Sequence, residues 1–190
     1  MDKNSLYYGD NMDILQRYVK DETIDLVYLD PPFNSNQDYN ILFAEKDGSR
    51  SAAQIKAFGD TWRWDRQSVN AYEEVVESGG NISRAMQAFR QLLEESDMLA
   101  YLAMMAPRLI ELHRVLKPTG SIYLHCDPTA SHYLKILMDS IFGAKNFRND
   151  IIWHYSGWNK RLPHHFERRS DNILFYAKGP LQTFNSYGRP

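Results

Sequence analysis

Short apolar runs alternate along this chain with stretches in which apolar residues recur at helical spacing. Residues 6–8 and Ile24–Leu29 are apolar runs that predict strands, and residues 11–19 between them have the spacing of a helix. The second run is almost continuously apolar, which is typical of a strand buried on both faces of a parallel sheet. The opening of the chain is therefore predicted to fold as strand, helix, strand.

Helical spacing dominates the middle of the chain. It predicts helices over residues 67–78, 81–94 and 97–116, and Pro107 is expected to kink the last of them. Residues 121–126 predict a strand, and a further helix is expected to run from Asp127 to Phe142, where Gly143 ends it. This alternation is typical of a parallel α/β sheet.

Two late apolar runs, residues 151–155 and 172–176, are joined by a basic and polar connection. They predict an antiparallel hairpin. The predicted fold is therefore α/β, with a mostly parallel sheet and a late antiparallel hairpin. In such sheets ligands bind outside the carboxyl ends of the strands.

Residues 34–64 are rich in Asn, Asp, Gly and Ser and predict a long structured loop, in which residues 51–58 are expected to form a short helix. Together with the helices that follow, it makes an inserted region of about residues 34–95. Trp62 and Trp64 are expected to anchor the loop to the core rather than to stack on bases.

Composition restricts the class of protein. With 43% hydrophobic and 24% charged residues among 190, the chain is neither disordered nor collagen-like. Its formal net charge of −2 excludes a polycation that coats nucleic acid, so any nucleic-acid surface must be local. Cys126 is the only cysteine, which excludes an internal disulfide framework. Without a secretory signal or an apolar stretch of ~20 residues, a cytoplasmic location and no membrane partner are expected.

Asp30, Pro31, Pro32 and Phe33 directly follow the second apolar run. Two prolines cannot donate ladder hydrogen bonds, so the chain must leave the sheet here as an extended loop. The Asp30 carboxylate and the Pro31 carbonyl are two acceptors for the hydrogens of an exocyclic amino group, and Phe33 offers a face on which an extruded base can stack. The alternative is that the motif only terminates a strand, and these four residues alone do not decide between the two.

With Asn34 after it, this motif matches the catalytic tetrapeptide of the amino-group DNA methyltransferases, and the chain resembles that family over most of its length. Tyr8-Gly9-Asp10, residues 116–121 and residues 149–178 continue the resemblance, in the order of the permuted β subgroup. The resemblance implies a Rossmann-like methyltransferase fold, S-adenosyl-L-methionine as cofactor and double-stranded DNA as substrate. An aspartate that opens the tetrapeptide is typical of adenine-N6 enzymes, and a cytosine-N4 enzyme is the alternative.

The chain departs from the family in lacking its glycine-rich cofactor loop. Residues 1–178 are interpreted as the catalytic part of the methyltransferase domain, and residues 179–190 as the start of a missing target-recognition region. The chain is expected to be the amino-terminal portion of a longer enzyme and to be inactive by itself. A non-catalytic remnant that binds DNA weakly at most is the alternative, whereas the motif order counts against an RNA or protein-glutamine methyltransferase.

Two further groups of residues are candidates for binding. By resemblance, Asp10 and Asn11 contact the cofactor together with Asp30, although an aspartate before a helix also fits a simple N-cap. Asp127 is expected to be an N-cap. The late connection concentrates positive charge and is expected to contact DNA phosphates, unless it is only a solvated loop, through Lys160, Arg161, Arg168 and Arg169.

No metal site is predicted, because His125, Cys126, Asp127 and His132 lack paired-ligand spacing. Cys126 also lacks the Pro-Cys context of cytosine-C5 enzymes. Direct methyl transfer to an amino nitrogen needs no covalent enzyme intermediate, so positioning and hydrogen bonding carry the rate enhancement. The resemblance allows a homodimer and a restriction endonuclease partner, and the sequence decides neither.

Phe33→Ala is expected to weaken capture of the extruded target base more than cofactor binding, because stacking contributes about 1–3 kcal/mol per base. Phe33→Tyr and Phe33→Trp should be tolerated, since each keeps an aromatic face. The fluorescence of 2-aminopurine at the target position measures extrusion. Unchanged extrusion in the alanine variant would argue against the stacking role.

Overall fold

The computed structural model describes residues 4–32, 38–40, 56–59, 62–157, 164 and 166–186. These residues form five α-helices and six strands: α1 (Asn11–Tyr18), β1 (Ile24–Leu29), β2 (Asp38–Asn40), β3 (Lys56–Gly59), α2 (Arg66–Glu77), α3 (Gly80–Leu93), α4 (Asp97–Val115), β4 (Leu116–Cys126), α5 (Ser131–Phe142), β5 (Phe147–His154) and β6 (Ser170–Ala177). A 3₁₀ turn at Ala144–Asn146 precedes β5. Among the described helices, none has the length and apolar character that crossing a membrane requires.

Four strands form one sheet in the order β1-β4-β6-β5. β1 and β4 are parallel, whereas β6 is antiparallel to both of its neighbours. The α/β class and the late antiparallel hairpin are therefore confirmed. In the described part of the chain the sheet is less parallel than predicted, because β5 and β6 of the hairpin supply two of its four strands and only the β1–β4 pair is parallel.

One face of the sheet is buried under helices. Ile122 and Leu124 of β4 and Leu174 and Tyr176 of β6 are 2% exposed or less, and they share one apolar cluster with residues of α4 and α5. A side chain of this size contributes about 1.5–3 kcal/mol when it leaves water completely. The Tyr176 hydroxyl donates to Asp139 of α5 at 2.7 Å, so the polar end of this buried ring is satisfied.

Helix α4 lies at the centre of the core, and residues 99–103 within it are completely buried. The remaining described helices contact it: α1, α2, α3 and α5. The helix runs through Pro107 and ends at Val115, which confirms the predicted element. Because it is surrounded by other elements, α4 is the platform against which the rest of the chain packs.

β4 begins at Leu116, directly after α4, instead of at the predicted residue 121. The strand pairing is irregular there, since Ile24 pairs with Leu116 but Leu26 already pairs with Ser121. A Cβ added at Gly120 would lie 2.9 Å from Leu116 Cδ2 and 3.1 Å from the carbonyl oxygen of Asp25. Glycine at this position therefore allows β1 and β4 to approach each other.

The strand predicted over residues 6–8 is not formed. Leu6 and Tyr8 are 98% and 83% exposed, and Tyr7 instead stacks on Tyr18 of α1 with ring centroids 5.5 Å apart. Exposed as it is, this run gains too little from burial to offset the entropy lost in ordering it as an edge strand.

The short helix predicted over residues 51–58 is also wrong where the structure describes it. Lys56–Gly59 is a strand that pairs antiparallel with Asp38–Asn40, and residues 51–55 lie outside the described part. Backbone pairing between distant segments has overridden a weak local helical preference.

The stability of the fold is expected to fall at mildly acidic pH because of His113 in α4. Its half-buried ring packs edge-on against Phe142, with centroids 4.9 Å apart. Burial first, and then the positive charge of Lys178, hold the pKa of His113 below its usual value. The unfolded chain therefore takes up a proton near pH ~6.5 that the folded chain does not, and the free energy of unfolding should decrease as the pH falls through that value towards the folded pKa.

Urea unfolding at about pH 7.5 and about pH 5.5 measures this loss. His113→Gln should flatten the pH dependence, whereas His132→Gln, at an exposed position of α5, should keep the wild-type slope. Equal slopes in the wild type and His113→Gln would contradict the assignment.

Candidate active site

A cavity of about 630 Å³ opens at the carboxyl end of β1. Its wall includes residues from both predicted groups, namely Asp10, Asn11, Asp30, Pro31 and Pro32. The volume lies in the range of small-molecule sites, about 300–1,000 Å³. The fold thus brings the predicted cofactor-binding and catalytic segments to one place. Phe33 lies outside the described residues, so its role stays a prediction.

Asp10 reaches the cavity from the amino end of α1, and the strand predicted just before it, over residues 6–8, is not formed. Its Oδ1 accepts a hydrogen bond from the Met12 amide at 2.8 Å, so it is the N-cap of α1. The capping interpretation is therefore confirmed. The side chain is still 55% exposed, which leaves part of the carboxylate accessible to a ligand.

Arg108 of α4 holds this turn in place. Its Nη2 donates to the two carboxylate oxygens of Asp10 at 2.9 and 3.2 Å, and its Nε donates to Asn11 Oδ1 at 2.9 Å. Nη1 donates to the Met104 carbonyl at 2.7 Å, and the side chain is only 16% exposed. Sequence reasoning missed Arg108; the available signal was an arginine directly after Pro107, at the end of a strongly apolar run of this helix.

Asp30 is the first residue after β1, and its side chain is 61% exposed. Pro31, which follows it, is buried and Pro32 is partly buried. The two rigid prolines anchor the loop against the protein while the carboxylate faces outward. Oδ1 of Asp30 lies 3.0 Å from Nδ1 of His125, so the carboxylate has a partner on the neighbouring strand.

His125 lies near the carboxyl end of β4 and is 10% exposed. Its Nε2 lies 3.3 Å from Asp171 Oδ2, and its ring stacks on Trp153 with centroids 5.6 Å apart. Sequence reasoning weighed His125 only as a metal ligand and missed this contact. The available signal was that Asp30 and His125 both follow apolar residues of two predicted parallel strands.

Cys126 is buried, and burial together with nearby carboxylates raises the pKa of its thiol to about 12. Such a thiol is a poor nucleophile. Asp127 Oδ1 accepts from the amides of Thr129 and Ala130 at 3.1 and 2.9 Å, in the turn before α5. The N-cap of α5 is Ala130, so the predicted helix start at Asp127 and its N-cap role are wrong. In the residues that the structure describes, no group of three His, Cys, Asp or Glu residues could hold a metal ion.

The basic connection is described in part, and two of the four residues predicted to contact DNA lie outside that part, namely Lys160 and Arg161. Arg168 is exposed, and its Nη1 donates to Thr129 Oγ1 at 3.1 Å. Arg169 pairs with Glu167, which offsets its charge. Arg168 is therefore the better placed of the two described arginines to meet a phosphate.

Trp62 and Trp64 pack against the core, as predicted. The Trp62 ring lies 6.1 Å from the ring of Tyr101, and Trp64 packs edge-on against Tyr72 at 5.7 Å. Trp62 also lines the cavity. The anchor of the long loop is thus at the same time an apolar wall of the site.

Comparison with known proteins gives the chain a family context. The family model described as N6/N4 DNA methylase matches residues 24–187, most of the chain. The Mod subunit of the Type III restriction-modification enzyme StyLTI of Salmonella typhimurium is 27% identical over 177 residues, 92% of this chain and 24% of that protein. The Type II methyltransferase M.KpnI of Klebsiella pneumoniae is 27% identical over 180 residues, 94% of this chain and 33% of that protein.

Among solved structures, the cytosine-N4-specific PvuII DNA methyltransferase superimposes with a TM-score of 0.52 at 14% identity, covering 93% of this chain and 49% of that one. This likeness supports the predicted Rossmann-like fold. The chain spans about a quarter to a third of the length of the relatives named above.

Arg108→Met is expected to loosen the turn at Asp10 and the helix that starts there. Because the ion pair is partly exposed, its loss should cost about 1 kcal/mol and speed amide exchange in α1 about fivefold. Hydrogen–deuterium exchange of a peptide covering residues 4–18 measures the effect. Arg17→Met is the control, since the pair that Arg17 makes with Asp13, at 3.8 Å, is exposed; equal exchange in both variants would contradict the role of Arg108.

Proposed function

This chain belongs to the N6/N4 DNA methylase family, and from that premise we propose that it carries the amino-group binding site of an S-adenosyl-L-methionine-dependent DNA methyltransferase. The observation that carries the proposal is the convergence of the turn at Asp10 and Asn11 with the Asp30 motif on one cavity. Ligand sites of open α/β folds lie in this position, outside the carboxyl ends of the strands.

In the proposed reaction Asp30 and the carbonyl of Pro31 accept hydrogen bonds from the two hydrogens of the target amino group, and one of these protons leaves the nitrogen as the methyl group is transferred to it. The lone pair of such an amine is delocalised into the base, so the nitrogen is a weak nucleophile until its hydrogens are held. The exposed carboxylate of Asp30 can meet a base that has left the duplex, and Phe33 would stack on it. The rate of transfer then depends on how well the site positions the amino nitrogen in line with the methyl donor.

The cavity fits S-adenosyl-L-methionine in its volume and in the chemistry of its wall. Leu29, Met104 and Met105 supply apolar contact surface, and the accessible part of the Asp10 carboxylate supplies an acceptor. Asp10, Asn11 and Asp30 are the residues proposed to hold the cofactor. When bound, S-adenosyl-L-methionine supplies an electrophilic methyl group on a sulfonium centre.

The proposed target is adenine N6, because an aspartate opens the tetrapeptide. The cytosine-N4 specificity named for the PvuII enzyme is a property of that protein, and a likeness at 14% identity bears on the fold alone.

The proposed substrate is double-stranded DNA, with Arg168 in contact with a phosphate. A restriction subunit is proposed as a partner, since two relatives are Mod subunits of Type III restriction-modification enzymes. A homodimer and a cytoplasmic location stay predictions.

Asp30→Ala is expected to abolish methyl transfer in the complete methyltransferase and to leave the fold intact. Losing a charge-assisted hydrogen bond at the reacting group should lower kcat on the order of 10²-fold or more. Incorporation of radiolabelled methyl groups into duplex DNA measures the rate, and circular dichroism checks the fold.

Asp25→Ala is the matched control, because Asp25 is a carboxylate of the same strand that is 74% exposed and pairs with Lys117 away from the cavity. It should retain nearly wild-type activity. Full activity in Asp30→Ala would refute the proposed site.

A further inference from the structure

The strand register brings Asp30 and His125 together on one face of the sheet. Leu29 pairs with Leu124 across β1 and β4, so the next residues in each strand direction, Asp30 and His125, are neighbours. The same face continues into the hairpin, where His125 pairs with Ile173 of β6. Residues two apart in a strand share a face, so Asp171 also lies on this side.

His125 is held on several sides at once. Nδ1 faces Asp30 at 3.0 Å, Nε2 faces Asp171 at 3.3 Å, and Trp153, whose backbone pairs with Asp171, stacks on the ring. Exposure falls from 61% at Asp30 to 21% at Asp171 and 10% at His125. The imidazole of His125 is thus nearly buried, and among these three side chains the carboxylate of Asp30 is the most exposed to solvent.

We propose that His125 is a positioning residue, which holds Oδ1 of Asp30 so that Oδ2 is presented to the target amino group. Among the described residues, no hydrogen bond engages Oδ2 of Asp30. A proton on Nδ1 lets the imidazole donate to Oδ1 and restricts rotation of the exposed carboxylate. Trp153, which stacks on the imidazole, sets the plane of the ring. This role rests on the proposed function, since it acts through Asp30.

The contact with His125 affects the rate because the carboxylate of Asp30, which is 61% exposed, samples several rotamers unless it is held. Productive positions of a reacting group tolerate little displacement, and a shift of about 1 Å can cost on the order of 10²-fold. The support should therefore affect kcat more than cofactor affinity, because Asp10 and Asn11, which His125 does not position, hold the cofactor together with Asp30.

The test compares His125→Asn with His125→Gln in the complete methyltransferase. The asparagine amide extends about as far as Nδ1 and keeps a donor towards Asp30, whereas the glutamine amide extends about as far as Nε2 and does not. We expect His125→Gln to lower kcat about 10- to 100-fold with a smaller change in the KM for S-adenosyl-L-methionine, and the kcat of His125→Asn to stay within about threefold of the wild type. His132→Gln, at an exposed position of α5, controls for loss of a histidine.

Thermal unfolding of each variant separates positioning from folding. The proposal is supported if His125→Asn keeps a kcat near that of the wild type, His125→Gln does not, and the two variants have similar thermal midpoints. Wild-type kcat in His125→Gln overturns it, and so does an equal fall of kcat in both variants, because a structural role does not distinguish them. Asp30→Asn in the same assay tests the proposed function separately. If Asp30→Asn stays active, both the proposed function and the positioning role of His125 fail. If Asp30→Asn is inactive and His125→Gln stays active, only the positioning role fails.

Discussion

The parallel pairing of β1 with β4 is the constraint on which the candidate site depends. Its register, with Leu29 opposite Leu124, places the end of one strand beside the other and brings Asp30 against His125. Gly120 favours this pairing, because a Cβ there would lie only 3.1 Å from the carbonyl oxygen of Asp25. The close approach of the two backbones at Gly120, at one end of the strand pair, thus supports the contact between Asp30 and His125 at the other end.

Helix α4 provides the second half of this arrangement. Its apolar length is buried, and its single arginine at the cavity, Arg108, ties the turn at Asp10 and Asn11 to the core. At its other end, Lys178 of the segment after β6 donates to the Leu116 carbonyl at 2.7 Å. The same helix therefore positions α1, the cavity wall and the exit of the hairpin.

The division between rigid and accessible groups explains how the site can bind a ligand. Pro31 and His125 are buried, whereas Asp30 and Asp10 keep more than half of their side chains exposed. Functional groups presented from the ends of strands and helices are held more precisely than groups on long loops. The exposed carboxylates therefore combine access to solvent with a supported geometry.

Sequence alone determined the five described helices, most of the strands and the Asp30 motif, because hydrophobic period, capping residues and proline act over a few neighbouring positions, but the helix it predicted over residues 51–58 is wrong. It failed at residues 6–8, where a short apolar run packs on α1 instead of joining the sheet. Sequence also could not identify Arg108 as the partner of Asp10, 98 positions away, or His125 as the partner of Asp30, 95 positions away. Only the tertiary structure decided those contacts, since strand register and helix packing bring together residues that share no local pattern.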